Sequence, residues 1–295
     1  MKSGFASVHP FVSFVYFAFI LVLSMTIMHP AFLCISMVFA TVYLFKLCGR
    51  RSQKYALLTV LPMMLLAAIL NPAFNHRGST ILSYLPGGNP LTLESLIFGL
   101  ASALMLGAVI LWFYSFSRII TSEKLVFLFG KIAPALSLLL SMTLRFVPRF
   151  FAQLRQTFQV QKALLGDNSS IGYLKKIQLG LTSFSIVVTW SLESSVETAD
   201  SMAARGYGLP GRTAFSLYRF TKSDALYLGL ILSLGGFVSV LALCGGLRWD
   251  YFPAIGGSFS GLSLGGIGAF ALVCALPLII ESLEESRWKN SSLKI

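Results

Sequence analysis

Charge is scarce in this chain. Only 12% of its 295 residues are Asp, Glu, Lys or Arg, about half the share of a soluble domain, and mean hydropathy is +0.78. That balance excludes an ordinary water-soluble domain and makes the bilayer the expected solvent. Cysteine is also sparse. Cys34, Cys48, Cys244 and Cys274 stand far apart with no C-x-x-C pair, which argues against a disulfide or zinc framework and for small buried side chains. Of the three histidines, His9 and His29 each precede a proline, so they read as helix boundaries near a membrane surface rather than as ligands. No His/Asp/Glu cluster has metal-ligand spacing. No G-x-x-x-x-G-K-[ST] loop is present, so the chain is not expected to hydrolyse ATP itself. No recognised nucleic-acid module accompanies the formal net charge of +12, so nucleic acid is not an expected partner.

What is present is apolar length. A helix needs about 20 residues to cross roughly 30 Å of hydrocarbon. Residues 11–28, 30–45, 55–70, 94–117, 224–245 and 262–280 meet that description, the third with Pro62 as an expected kink and the last ending at Glu281, Glu284 and Glu285. The first run is long for a secretory leader, lacks a small-x-small cleavage site and passes straight into the second, so it is expected to be retained. The clearest runs carry no ionisable residue in their middles. This counts against an ion-coupled carrier or an intramembrane protease, both of which need such groups at depth. Taking six spans and a cytoplasmic N-terminus, the outer loops hold only Arg77 and Arg248 of the 23 Lys and Arg. The inside-positive rule therefore fixes the expected orientation, and contact with anionic lipid accounts for the remaining positive charge. The expected class is all-α: about six transmembrane helices with a cytoplasmic module of long amphipathic helices. The expected partition is 1–117 for spans one to four, 118–222 for the module, and 223–295 for spans five and six and the tail.

The 118–222 block holds 13 of the 23 basic residues, yet much of it is apolar, and a connection that long is rarely structureless. Residues 122–148 read as a short surface helix, a break at Pro134, and an apolar helix that could enter the membrane. Residues 149–166 place Phe150, Leu154, Phe158 and Gln161 on one side at helical spacing, with Arg149, Arg155 and Lys162 between them. Residues 170–205 place Leu174, Ile177, Leu181, Phe184, Val188, Leu192 and Val196 along a stripe. Gln178, Thr182, Ser185 and Thr189 lie opposite, which favours an amphipathic helix over a seventh span at 177–192. Each stripe is expected to pack against the other helix or the membrane, since isolated surface helices are marginal. Glu193 and Glu197, one turn apart, are expected on a solvated face or paired with Arg149 or Arg155, not as a catalytic dyad.

The stretch SMAARGYGLPGRT (201–213) ends the second helix. Ala203, Ala204 and Arg205 can finish it, Gly206 supplies the left-handed residue after the cap, and Gly208, Pro210 and Gly211 prevent continuation. Arg205 then projects from a helix end whose dipole favours a cation. Small neighbours leave room for another backbone to approach it. Read without further context, the arginine is equally well an incidental feature of a cap.

With its flanks, SMAARGYGLPGRTAFSLYRF (201–220), together with HPAFL (29–33) and LRFVPRF (144–150), resembles the transmembrane T component of energy-coupling factor transporters. The resemblance implies a non-catalytic membrane scaffold, with two cytoplasmic coupling helices each ending in Ala-Arg-Gly and docking in a groove on one of two ABC-type ATPases. It also implies a small substrate-binding membrane subunit as partner, ATP bound only by the ATPases, and uptake of a vitamin or metal ion across the cell membrane. The second motif maps to Ala204, Arg205 and Gly206. The first falls at QKALLG, where Lys162 and Ala163 are followed by Leu164 in the arginine position and Gly166 is displaced by one. Lys162 does not reproduce a guanidinium fork, a departure that puts the first contact in doubt and that two non-identical ATPase grooves would fit. The competing classes are a lipid-modifying intramembrane enzyme, built from Arg145, Arg149, Glu193 and Asp200, and a self-sufficient secondary carrier.

Overall fold

Two His-Pro pairs open the first membrane helices. Extended backbone at His9 and His29 leads into Pro10 and Pro30 at the first helical position, where a missing N–H costs nothing. Each imidazole Nδ1 accepts the backbone N–H two residues on, from Phe11 at 3.2 Å and Ala31 at 3.3 Å. In chain order the helices are α1 (Gly4–Ser7), α2 (Pro10–Thr26), α3 (Pro30–Phe74), α4 (Leu93–Ile119), α5 (Ser122–Gly130), α6 (Pro134–Leu164), α7 (Tyr173–Ala204), α8 (Lys222–Leu243) and α9 (Gly261–Ser292). Two short antiparallel hairpins pair β1 (Ile81–Tyr84) with β2 (Pro90–Thr92) and β3 (Trp249–Asp250) with β4 (Gly256–Gly257). The computed structural model describes residues 4–84, 90–130, 133–164, 172–207, 209, 218–257 and 261–292.

Helix α3 is broken at Gly49, whose φ of 66° and ψ of −179° only glycine adopts without strain. Five segments are long and apolar enough to cross a membrane: Pro30–Gly49, Leu93–Ile119, Pro134–Leu164, Lys222–Leu243 and Gly261–Ser286. Pro10–Thr26 and Leu58–Phe74 are apolar but shorter. The chain is an all-α polytopic membrane protein. Four of the six expected spans thus reach full length, while the first and third are short. The fifth long segment, α6, differs from the expected division at 148. Pro148 lies inside a continuous helix, although it has no N–H to offer the carbonyl of Leu144.

The chain forms two compact units, Met1–Thr121 with Tyr218–Ile295, and Ser122–Leu217. In the first, α3 packs chiefly on α4, with α2, α8 and α9 completing the bundle. Its centre is Trp112, fully buried among Tyr16, Phe17 and Tyr43. The Trp112 indole N–H donates to Ser36 Oγ at 3.1 Å, and Ser36 and Ser24 hydroxyls lie 3.0 Å apart. Small polar groups thus satisfy the one polar atom that this large ring brings into an apolar interior.

The connections that the charge distribution assigned to one side do meet at one end of this unit. Tyr251 Oη donates to the carbonyl of Met28 at 2.7 Å, and the Ser79 N–H donates to the carbonyl of Pro253 at 3.1 Å. Burial there pushes the Tyr251 phenol up to about 12 and the His29 imidazole down. Glu94, in the first turn of α4, is 2% exposed. Its carboxylate accepts from Thr80 Oγ1 at 2.7 Å, Ser79 Oγ at 3.1 Å and Thr80 N–H at 3.2 Å. Hydrogen bonds and the positive end of α4 together make that burial tolerable. At the start of α8, Thr221 and Asp224 form a capping box, and Asp224 Oδ1 also accepts the His9 N–H at 3.1 Å.

The four cysteines are free thiols. Only Cys274 is buried, whereas Cys34 and Cys244 are exposed and Cys48 is half-buried, which corrects the expectation of four buried side chains. Helices whose apolar residues face outward leave small side chains in contact with lipid as readily as with the core.

Candidate functional site

The second unit contains the residues singled out at 149–166 and 201–206. Helix α6 presents Phe150, Leu154, Phe158 and Gln161 as a half-buried face, the side that their spacing indicated. Across from it, α7 buries Leu179, Ser183 and Val187. Phe150 meets the Trp190 ring edge-on at 6.0 Å, and the Arg149 guanidinium lies over that ring at 5.2 Å. Residues 142–149 face 194–205, while 154–159 face 180–184. The partner numbers fall as α6 rises, so the two helices run antiparallel.

Of the two surfaces expected to cover the apolar stripe of α7, the other helix does not bury it, which leaves the membrane. Leu174, Ile177, Leu181, Phe184, Val188, Leu192 and Val196 are all exposed. The face of α7 that is buried instead carries Leu179, Ser183 and Val187, spaced one turn apart on another side of the helix. Glu193 and Glu197 are exposed. Among the described residues neither forms an ion pair, and the bridges present are Lys46–Glu285 at 3.7 Å and Arg248–Asp250 at 3.0 Å. Of the two readings of this pair, the solvated face holds and pairing with Arg149 or Arg155 does not.

The end of α7 is locked by its own backbone. Gly206 has φ +74°. Its N–H donates to the carbonyl of Ala203 at 2.9 Å, and the Tyr207 N–H donates to that of Met202 at 3.0 Å. These are the two bonds of a Schellman cap, which satisfies carbonyls that a helix end otherwise leaves open. Ala204 and Arg205 are exposed on this fixed terminus. At the end of α6, Lys162, Ala163 and Leu164 are likewise exposed, Leu164 at 76%. Gly166, Gly208, Pro210 and Gly211 lie outside the described residues. Because the helices are antiparallel, the two ends are separated by about the length of α7. For its 32 residues that is roughly 48 Å.

Spacing alone did not single out a cleft of about 950 Å³ between the helices, lined by Arg145 and Arg149 from α6 and by Ser194, Glu197, Ser201 and Arg205 from α7. A signal was available: Arg145 and Arg149 are one turn apart, and 194, 197, 201 and 205 recur every three to four residues. Arg145 and Arg149 therefore come together, but Glu193 and Asp200 do not line the cleft with them. The constellation of the lipid-modifying alternative is not assembled there. Among the described residues no three His, Cys, Asp or Glu side chains converge as a metal site requires.

No protein-family model matches the chain. Over 106 residues it is 26% identical to the energy-coupling factor transporter transmembrane protein EcfT of Lactobacillus helveticus (strain DPC 4571). That match covers 36% of this chain and 38% of the length of the relative. The chain is thus similar, in part of its length, to a transmembrane protein of a transporter.

Proposed function

We propose that the chain is the membrane scaffold subunit of an ATP-driven energy-coupling factor importer. In this reading two partner ATPases of the ABC type bind and hydrolyse ATP. A separate membrane subunit binds the vitamin or metal ion, and this chain transmits movement between them without catalysing a reaction. The observation that carries the reading is the end of α7, where an exposed Arg205 stands between Ala204 and a left-handed Gly206. The closed cap fixes the backbone that carries Arg205, so a partner groove can bind the side chain without first ordering the helix end. The partial similarity to EcfT supports the same class.

The inside-positive distribution supports a cell-membrane protein with its N-terminus and the α6–α7 unit on the cytoplasmic side. The other helix end carries Lys162, Ala163 and Leu164 in place of an arginine motif. We therefore assign it to a second, different groove that accepts an apolar terminus, and Arg205 to the groove that takes a cation. Truncating an arginine anchored in a desolvated pocket costs about 2 kcal/mol or more. Arg205→Ala should accordingly weaken co-purification of one ATPase and lower ATP-dependent uptake, while membrane insertion stays normal. Unchanged co-purification and uptake would remove Arg205 from this role, and equal loss of both ATPases would contradict the asymmetry.

A further inference from the structure

We propose that the cleft between α6 and α7 is a binding site for the headgroup of an anionic phospholipid. Its charge is the first reason. Arg145, Arg149 and Arg205 line it with a single acid, Glu197, a net of +2 from three cations minus one anion. Among the described residues the side chains of Arg145, Arg205 and Glu197 have no hydrogen-bond or ion-pair partner, and the Arg149 guanidinium lies over the face of Trp190. Three solvent-facing guanidinium groups on one cleft give it a potential that favours an anion, and guanidinium forks match phosphate oxygens two at a time. Ser194 and Ser201 place hydroxyls on the same wall. Thr198, also on that wall, already donates its hydroxyl to the Ser194 carbonyl at 2.7 Å.

The second reason is depth. Residues 133–144 contain no charge, and Arg145 is the first ionisable residue after them. Leu136, Leu139, Leu140 and Leu144 of that run are exposed. Met142, Phe146 and Met202 form the apolar part of the cleft wall, and Trp190 stands beside Arg149. Leucines giving way to aromatic and basic side chains over one helical turn mark the level where hydrocarbon meets headgroups. The cleft, about 950 Å³, has room for a phosphodiester and its alcohol. A phospholipid also covers the exposed leucines with its acyl chains, which neither free phosphate nor an acidic protein segment does.

The test uses the full chain alone, delipidated in detergent, so its outcome is independent of the coupling role proposed for Arg205. Dioctanoyl phosphatidylglycerol, dioctanoyl phosphatidylcholine and inorganic phosphate are titrated, and bound ligand is counted by native mass spectrometry. Phosphatidylglycerol should bind about tenfold more tightly than phosphatidylcholine, a preference that weakens with salt. The double variant Arg145→Gln/Arg149→Gln should lose the preference. Glu197→Gln removes the opposing carboxylate and should tighten phosphatidylglycerol binding about threefold, a gain that misfolding cannot produce. Equal binding of the two lipids, an undiminished preference in the double variant, or no gain in Glu197→Gln overturns the proposal. So does competition by inorganic phosphate or a glutamate-rich peptide as effective as the lipid itself, which would assign the cleft to a free anion or to a protein segment.

Discussion

Adding one methyl group at Gly206 should loosen the end of α7 without unfolding the protein. At φ +74° an L-residue carries a penalty of about 1–2 kcal/mol. The new Cβ would also stand 3.0 Å from Leu209 Cδ1, the far end of a flexible side chain that can move aside. The alternative is for the chain to leave the left-handed region, forfeiting the Gly206–Ala203 and Tyr207–Met202 bonds at 2.9 and 3.0 Å. At about 0.5–1.5 kcal/mol net for each bond, that route costs about as much. Either way the closed cap loses roughly 1–2 kcal/mol, a factor of about 5–30 in its population. The terminus is exposed, so the loss is local fraying rather than global unfolding. Amide hydrogen exchange read at Gly206 and Tyr207 should accelerate by that factor in Gly206→Ala, while the core around Trp112 keeps its protection. Gly206→Asn should fall between the two, since asparagine tolerates the left-handed region better than alanine. Unchanged exchange in Gly206→Ala, or slower exchange in it than in Gly206→Asn, would refute the reasoning.

Two further outcomes follow from the first unit. His29 is 1% exposed and burial lowers its pKa, so at mildly acid pH the unfolded chain binds the proton that the folded chain refuses. Its contribution to stability is present above the unfolded value of about 6.5 and is lost as pH falls through the lower folded value. Melting temperature should therefore drop more between pH 7.5 and 5 in the wild type than in His29→Asn, which keeps a capping acceptor without a titrating ring; identical drops would count against it. Trp112→Phe removes the donor to Ser36 and leaves space beside Tyr16 and Tyr43. Detergent unfolding should show a loss of about 1–3 kcal/mol, and wild-type stability would contradict the account of this core.

The sequence was most legible where one residue dictates one conformation. His-Pro announced two capped helix starts, and Gly206 announced a left-handed stop after Arg205. Hydropathy delivered the membrane class, and the scarcity of Lys and Arg in three connections anticipated that those connections meet at one end. Hydropathy failed where partner shape decides. The seven large apolar residues of α7 form the most regular stripe in the module, yet α7 buries Leu179, Ser183 and Val187 and leaves that stripe exposed. Pro148 looked like a boundary, but α6 runs through it. Glu94 looked like a residue at a span's edge; its burial depends on Ser79 and Thr80, fourteen or more positions away, and no local pattern reveals that. The cleft of Arg145, Arg149 and Arg205 depends on the pairing of two helices and becomes visible only once their register is known.

The central proposal is that this chain works as a scaffold for partners rather than alone. Affinity purification of the full chain from native membranes in mild detergent, with every companion identified and the preparation reconstituted into liposomes, tests it most directly. The account predicts two ABC-type ATPases and a small membrane protein in the eluate, with uptake that requires ATP and those companions. A chain that elutes by itself and transports a solute or modifies a lipid without them would contradict it.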